Sequence, residues 1–170
     1  VVKTMAGDFK FDDAIFMGHH QAADLVWKMG AIGKNAEGKP TTWAAVHPEF
    51  YNLKDDPNVF VIGDSVGAVS PQFGHYPKSG HIANRMGRSV STYIAQQSKG
   101  KPMKPVIIDN LCYMLVNTEP LEAINVKFEY KMGEEGHLLQ TVTDDNFRRQ
   151  ELWQADLQWY GTMVKDFTGA

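Results

Sequence analysis

Cysteine is almost absent from the sequence, since only Cys112 occurs among 170 residues. An internal disulfide is therefore excluded, and a zinc site would have to rely on histidine and carboxylate ligands. Long apolar runs are missing too, because none reaches the roughly 20 residues of a membrane-spanning helix. No signal peptide is recognisable, and the chain starts at Val1 rather than at methionine. We therefore expect a fragment of a longer protein.

The sequence also lacks a strong charge of either sign, with a net charge of -3 at pH 7 and no block of like charges. Nucleic-acid binding depends on a basic surface, so the composition argues against a nucleic-acid partner. The hydrophobic share of 43% is ordinary for a globular protein, and a chain of this length can bury a core.

A continuous apolar run at residues 59–62 stops at Gly63 and Asp64. Such a run is typical of a strand buried on both faces. In open α/β sheets, ligands bind beyond the carboxyl ends of the strands, where Asp64 would accept hydrogen bonds from sugar-like hydroxyls. The alternative is an aspartate that bonds only to its own loop.

A helix is predicted over residues 79–97, because apolar residues recur there at steps of four. The segment Pro77-Lys78-Ser79-Gly80 opens it, and proline is favoured in a first turn. The start of a helix offers free N–H groups and a positive dipole end, while Lys78 opposes that dipole unless a negative group lies nearby. Together with Gly63 and Asp64, these four residues predict a ligand site.

The first part of the chain predicts a succession of short elements. They are strands within residues 9–17, a helix over 21–29 that Gly30 and Gly33 end, and a weak strand over 43–46. With the strand and helix described above, they indicate an α/β unit over residues 1–100.

The second part predicts a different architecture. It contains β-rich segments over 106–116, 124–130 and 138–142, with a hairpin connection at 133–136. Asp144 or Asp145 is expected to N-cap a final helix that extends to Phe167. We therefore expect an α+β unit over residues 101–170, a small antiparallel sheet with a long terminal helix, and a boundary at 98–104.

Six stretches of the chain, taken together, resemble one family. They are FDDAIFMGHHQAADLV, VFVIGDS, YPKSGHIANRMGRSV, NLCYMLV, INVKFEYKMGEEGHL and LQWYGTMVKDFTGA. The chain resembles the flavin-binding subunit of flavocytochrome c sulfide dehydrogenase. That family belongs to the flavoprotein disulfide-reductase superfamily, as does sulfide:quinone oxidoreductase. The Pro-Lys-Ser-Gly, Cys-Tyr and terminal Trp-Tyr elements are the most specific parts of the resemblance.

This resemblance implies FAD as the cofactor, sulfide as the substrate, a c-type cytochrome subunit as the partner and a periplasmic location. It implies that Asp64 binds the ribityl and pyrophosphate region of FAD, and that the Pro77-Lys78-Ser79-Gly80 helix points at the pyrimidine edge of the flavin. Cys112 would be half of a redox-active disulfide whose partner lies upstream of this chain. Trp159 would lie beside the flavin and shape the sulfide cavity.

The chain departs from the family pattern in three places. Leu111 stands where threonine is usual, the loop over residues 65–76 is longer than usual, and no G-x-G-x-x-G fingerprint occurs. Such flavoproteins hold the FAD pyrophosphate on that fingerprint. The resemblance therefore implies the C-terminal part of a two-nucleotide-domain flavoprotein, which carries one wall of the flavin site.

The residues alone leave other interpretations open. Cys112 is otherwise a small buried hydrophobe, and Trp159 a core aromatic of the final helix. His75 and His81 flank the predicted helix start, but we expect no metal site there. A relative of sulfide:quinone oxidoreductase is the second hypothesis, although the final helix lacks the basic polar face of a membrane-surface helix. The third hypothesis is a non-catalytic interaction domain.

Overall fold

The computed structural model describes residues 1–102, 105 and 107–169. The predicted boundary at 98–104 and the predicted start of a strand at 106 lie partly outside these residues. Along the described chain the elements are β1 (Val2–Thr4), β2 (Gly7–Phe9), α1 (Asp24–Lys28), β3 (Ile32–Lys34), β4 (Pro40–Ala44), a 3₁₀ turn (Gly63–Ser65), α2 (Gly80–Gln97), β5 (Asn110–Thr118), β6 (Leu121–Met132), β7 (Leu138–Arg149) and α3 (Gln150–Thr168).

The largest sheet consists of β5, β6 and β7 in that order, with both pairs antiparallel. The connection between β6 and β7 is a tight hairpin, in which the Gly133 N–H donates to the His137 carbonyl at 2.8 Å. Gly136 in this connection has a φ of 73°, a conformation that glycine adopts without strain. The predicted small antiparallel sheet and its hairpin are confirmed.

Strand β7 is longer than the sequence predicts, and this changes where the last helix begins. The backbones of Asp144 and Asp145 pair with Val126 and Asn125 of β6. The predicted N-cap at Asp144 or Asp145 is therefore wrong. The partner strand β6 extends back to Leu121, so the ladder continues past these positions.

Helix α3 begins after Arg149, which makes no side-chain capping bond, and it ends before Gly169 with a φ of 69°. The long terminal helix is thus confirmed, and it reaches Phe167 as predicted. It packs mainly on β6 and β5 and buries Leu152 and Met163. The predicted apolar face is only partly covered, because Phe167 is 63% exposed.

Helix α2 confirms the strongest helical pattern of the sequence. Ser79 is its N-cap, and the Ser79 hydroxyl accepts a bond from the Ile82 N–H at 3.3 Å. Ile82 and Met86 are almost fully buried. The prediction that Pro77 lies in the first turn is wrong, because the serine side chain takes the capping position and Pro77 precedes it by two residues.

The first sixty residues differ most from the predicted arrangement. The described strands there form two-stranded antiparallel sheets, β1 with β2 and β3 with β4. Residues 59–62 do not form a strand buried on both faces, so that prediction is wrong. Phe60 makes one isolated bridge to Asn52, and Ile62 is 40% exposed. A strand that is buried on both faces belongs to a sheet with a covering layer on each face, whereas residues 59–62 belong to no named strand in the described part of the chain.

The shorter elements also differ in detail. Residues 14–17 lie outside every element, and Ile15 is 99% exposed. The predicted helix over 21–29 shrinks to α1, after which Gly30 turns the chain with a φ of 71°. Gly33 belongs to β3 instead of ending the helix. These elements were predicted from their hydrophobic pattern alone. Of the apolar residues in the predicted helix, Ala22 and Val26 are buried, whereas Leu25 and Met29 are exposed.

The buried residues of both halves form one cluster, which includes Tyr51, Met86 and Leu138. The Ser70 hydroxyl donates to the carbonyl of Leu138 at 2.6 Å. The rings of Tyr76 and Tyr130 meet edge to face at 4.8 Å. Burial raises the pKa of Tyr51 to about 12, so this side chain stays neutral at physiological pH. The long sheet and the loops before α2 therefore share a core.

Candidate functional site

The turn at Gly63–Ser65 packs against the first turns of α2. The Gly63 N–H points at the sulfur of Met86 at 3.1 Å. A Cβ at Gly63 would lie 3.4 Å from the Cβ of Ala83, and the φ of Gly63 is 67°. Glycine suits this position because it accepts positive φ without strain. The structure thus brings Gly63 and Asp64 to the helix start, where the sequence predicts a site.

Lys78 joins this turn to strand β4. Its Nζ donates to the carbonyl oxygens of Asp64 and Val66 and lies 3.7 Å from the ring centroid of Trp43. Burial lowers the pKa of Lys78, and the nearby charge of Asp64 works against that shift. Lys78 therefore holds the loop, while Asp64 itself is exposed.

A cavity of about 270 Å³ includes the start of α2 in its wall. Its wall is formed by the first residues of α2, by β5 and by α3. Four of the predicted site residues line it: Ser79, Gly80, Cys112 and Trp159. The other four are not among its lining residues: Gly63, Asp64, Pro77 and Lys78. The rest of the wall is mainly apolar, with Leu111, Met163, Val164 and Phe167.

A chain of polar contacts extends behind the cavity wall. The Asn110 Nδ2 donates to the Cys112 sulfur at 3.2 Å, and the Asn110 Oδ1 lies 3.2 Å from the His81 Nδ1. On the far side of the ring, the Arg85 Nε donates to the His81 Nε2 at 3.2 Å. Arg85 also lies 3.5 Å from a carboxylate oxygen of Asp109. The chain thus connects the thiol to a histidine and then to an ion pair.

His81 and Asn110 are deeply placed, at 6% and 0% exposed. Burial is the main reason why the pKa of His81 is lowered, and Arg85 adds to the effect, while Asn110 and Asp109 oppose it. The ring meets Trp159 edge to face at 5.4 Å. A neutral imidazole therefore forms part of the support for the aromatic wall of the cavity.

Sequence reasoning named His81 only as a metal candidate and missed Asn110 and Arg85. Two spacings in the sequence were available as signals. Asn110 is two residues before Cys112 and therefore on the same face of a strand. Arg85 is four residues after His81 on one helix face. These spacings are common, so they become informative only when the two elements are seen to meet.

The structure also bears on other kinds of site. Among the described residues, no group of three or more His, Cys, Asp or Glu side chains is arranged to hold a metal ion. His75 packs on Trp43 at 6.3 Å instead of joining His81. No helix in the described part of the chain is long and apolar enough to cross a membrane.

No protein-family model matches the chain, and no curated protein matches its sequence. The resemblance to the flavocytochrome c sulfide dehydrogenases therefore depends on the quoted motifs.

Proposed function

We propose that the chain is the C-terminal part of an FAD-dependent sulfide dehydrogenase, a flavoprotein subunit that passes electrons to a c-type cytochrome in the periplasm. One observation carries the proposal. Cys112, Trp159 and the start of the capped helix α2 line the same cavity, although they lie far apart in the sequence. Three of the motifs that resemble the family thus contribute to one cavity.

Two features near the helix start support FAD as the cofactor, and one of them, Asp64, lies outside the cavity wall. Asp64 is exposed beside the glycine that packs on α2, and a free carboxylate there suits ribityl hydroxyls. The helix start offers N–H groups to a ring edge. The cavity of about 270 Å³ is small for a cofactor of this size, since ligand sites typically occupy ~300–1,000 Å³. The remaining contacts must come from another part of the protein.

FAD, when bound, supplies a two-electron acceptor. The chain would contribute Cys112 as half of a disulfide with a cysteine of the complete protein. Hydrosulfide attacks one sulfur of that disulfide, a new S–S bond forms, and the old S–S bond breaks with its electron pair on the expelled thiolate. Trp159 and the apolar wall would exclude bulkier nucleophiles from this sulfur.

Two variants of the complete flavoprotein test the proposal in one experiment. Cys112→Ser should keep FAD bound and lose reduction of the flavin by sulfide, because the exchange needs the sulfur. Asp64→Ala should weaken FAD retention by roughly ten- to a hundredfold, the value of a hydrogen bond to a charged group. Flavin absorbance after dilution and stopped-flow reduction by sulfide measure the two effects.

Two matched variants serve as controls. The first is Met114→Ser, because Met114 lies on the same strand as Cys112 but is 43% exposed. The second is Asp55→Ala, which removes another exposed carboxylate. Neither should change FAD retention or reduction. Normal sulfide reduction in Cys112→Ser, together with normal FAD retention in Asp64→Ala, would reject the proposal.

A further inference from the structure

We infer that Asn110 is a positioning residue of the cavity, whose side-chain amide donates to the Cys112 sulfur at one end and accepts the Nδ1 proton of His81 at the other. The chemical consequence at the sulfur rests on the proposed function. The arrangement itself is a property of this chain and is testable without cofactor or substrate.

The position of Asn110 leaves its amide few alternatives. Asn110 is fully buried and lies on β5, two residues before Cys112. Buried amides are held by their hydrogen-bond partners. In the observed orientation Nδ2 faces the sulfur and Oδ1 faces the imidazole of His81. A flipped amide would place its oxygen against the sulfur and its two N–H groups against the ring.

The tautomer of His81 follows from the group on its far side. The Arg85 Nε–H is only a donor, so the His81 Nε2 must accept and carries no proton. The proton is then on Nδ1, which donates to the Asn110 Oδ1 at 3.2 Å. This arrangement satisfies two hydrogen bonds, one of them to a charged group.

A competing arrangement exists and satisfies fewer groups. The Leu111 N–H also lies 3.2 Å from the His81 Nδ1, and it could donate there if Nδ1 carried no proton. The proton on Nε2 would then face the Arg85 N–H, and the Asn110 Oδ1 would lose its donor, so two contacts would be lost. With the proton on Nδ1, one contact is lost, because the Leu111 N–H no longer has the ring nitrogen as its acceptor. The count of satisfied groups therefore favours the proton on Nδ1, with the carbonyl of Asn110 directed to the ring.

The consequence concerns the sulfur of Cys112. With Oδ1 committed to His81, the Nδ2–H of Asn110 remains directed at the sulfur at 3.2 Å. When a disulfide at Cys112 breaks with the electron pair on this sulfur, that N–H faces the new negative charge. Hydrogen bonds to charged groups are stronger than those to neutral ones. Asn110 therefore stabilises the thiolate that the proposed exchange reaction produces.

The test uses the chain itself, in which Cys112 is the only cysteine. Heteronuclear NMR of the histidine rings at mildly alkaline pH should show His81 with its proton on Nδ1. Alkylation of Cys112 by iodoacetamide should slow roughly tenfold in Asn110→Asp, since a carboxylate removes a hydrogen bond to a charged group. It also places a negative charge against the reacting thiolate.

Asn117→Asp is the matched control, because Asn117 lies on the same strand and bonds to the Glu119 carbonyl instead. Its alkylation rate should equal that of the wild type. A proton on Nε2 of His81, or an unchanged alkylation rate in a folded Asn110→Asp, overturns the inference. The tautomer measurement needs no variant, so a proton on Nε2 overturns the inference even if N110D does not fold. A failure of the proposed function would appear in the flavin experiments and leave these results unchanged.

Discussion

The sheet that precedes α3 and the sheets at the start of the chain are built on different scales. Strands β5, β6 and β7 have 9, 12 and 12 residues, whereas β1, β2 and β3 have 3 each. Long strands that follow one another as hairpins find their partners nearby in the sequence. The alternation of apolar and polar residues along such strands then predicts their position reliably, because each strand pairs with the next one in the sequence.

The short apolar segments at the start of the chain do not have a covering partner nearby in the sequence. Ile15, Phe16 and Met17 are at least 67% exposed, although their apolar run indicated a strand. An apolar run predicts burial, but the described residues provide no surface to bury these side chains. The comparison shows that the same pattern signifies different structures, depending on whether the covering element lies in the same stretch of chain.

The largest effect should come from Leu138, which is fully buried where the long sheet meets the loops before α2. Leu138→Ala should reduce the free energy of unfolding by about 2–5 kcal/mol, the usual cost of a buried leucine. Because both regions share this core, circular dichroism and fluorescence should report one cooperative transition at a lower urea concentration.

Leu157→Ala is the control, since Leu157 is 51% exposed on α3 and its loss should change stability only slightly. Hydrogen exchange would separate the two regions of the comparison. Leu138→Ala could unfold the long sheet and leave the amides of residues 40–70 protected from hydrogen exchange. The two regions would then unfold independently, and their shared core would not make them cooperative.

An intermediate effect is expected from His81, which lies where α2 meets β5 and α3. The charged groups that face it are Arg85 on α2 and Asp109 before β5, and α3 presents the neutral Trp159. Its folded pKa is lowered from 6.5, so the unfolded chain binds the proton more readily. This contribution to stability is complete above pH 6.5 and is lost as the pH falls below it.

Urea unfolding followed from neutral pH to about pH 5 should therefore show a falling midpoint. His81→Gln should flatten that dependence, because the variant has no group to titrate. His137→Gln, at the hairpin of the long sheet, should retain the wild-type slope. An unchanged slope in His81→Gln would mean that other groups cause the acid sensitivity.

The smallest effect belongs to Lys78, whose contacts lie within the first region. Lys78→Met removes a cation from the face of Trp43 and should cost about 1 kcal/mol, typical of a partly exposed cation–π contact. Lys78→Arg should recover part of that loss, and Lys54→Met should be neutral because Lys54 is exposed. Thermal unfolding measures all three. Equal unfolding midpoints for Lys78→Met and the wild type would mean that the Lys78 contact with Trp43 does not stabilise the fold.

The candidate site was predictable in part. Ser79, Gly80, Cys112 and Trp159 were named from motifs, and the structure places them around one cavity. Lys78 was expected to act on a ligand, which stays a prediction, and in the structure it contacts the Asp64 carbonyl and Trp43. The long loop between Asp64 and Lys78 made its path impossible to infer, since loop geometry depends on what the loop packs against.

Local periodicity was enough to predict α2, the β6–β7 hairpin and the terminal helix, because each is defined by side chains within a few residues of one another. Folding of distant segments onto one another was needed for the cavity and for the His81–Asn110 contact, whose residues are 29 positions apart. Burial removes competing water from the His81 and Asn110 side chains, and it thereby fixes the contact between them. Burial at such a seam depends on how α2 and α3 pack on β5, and no pattern within a single element encodes that packing.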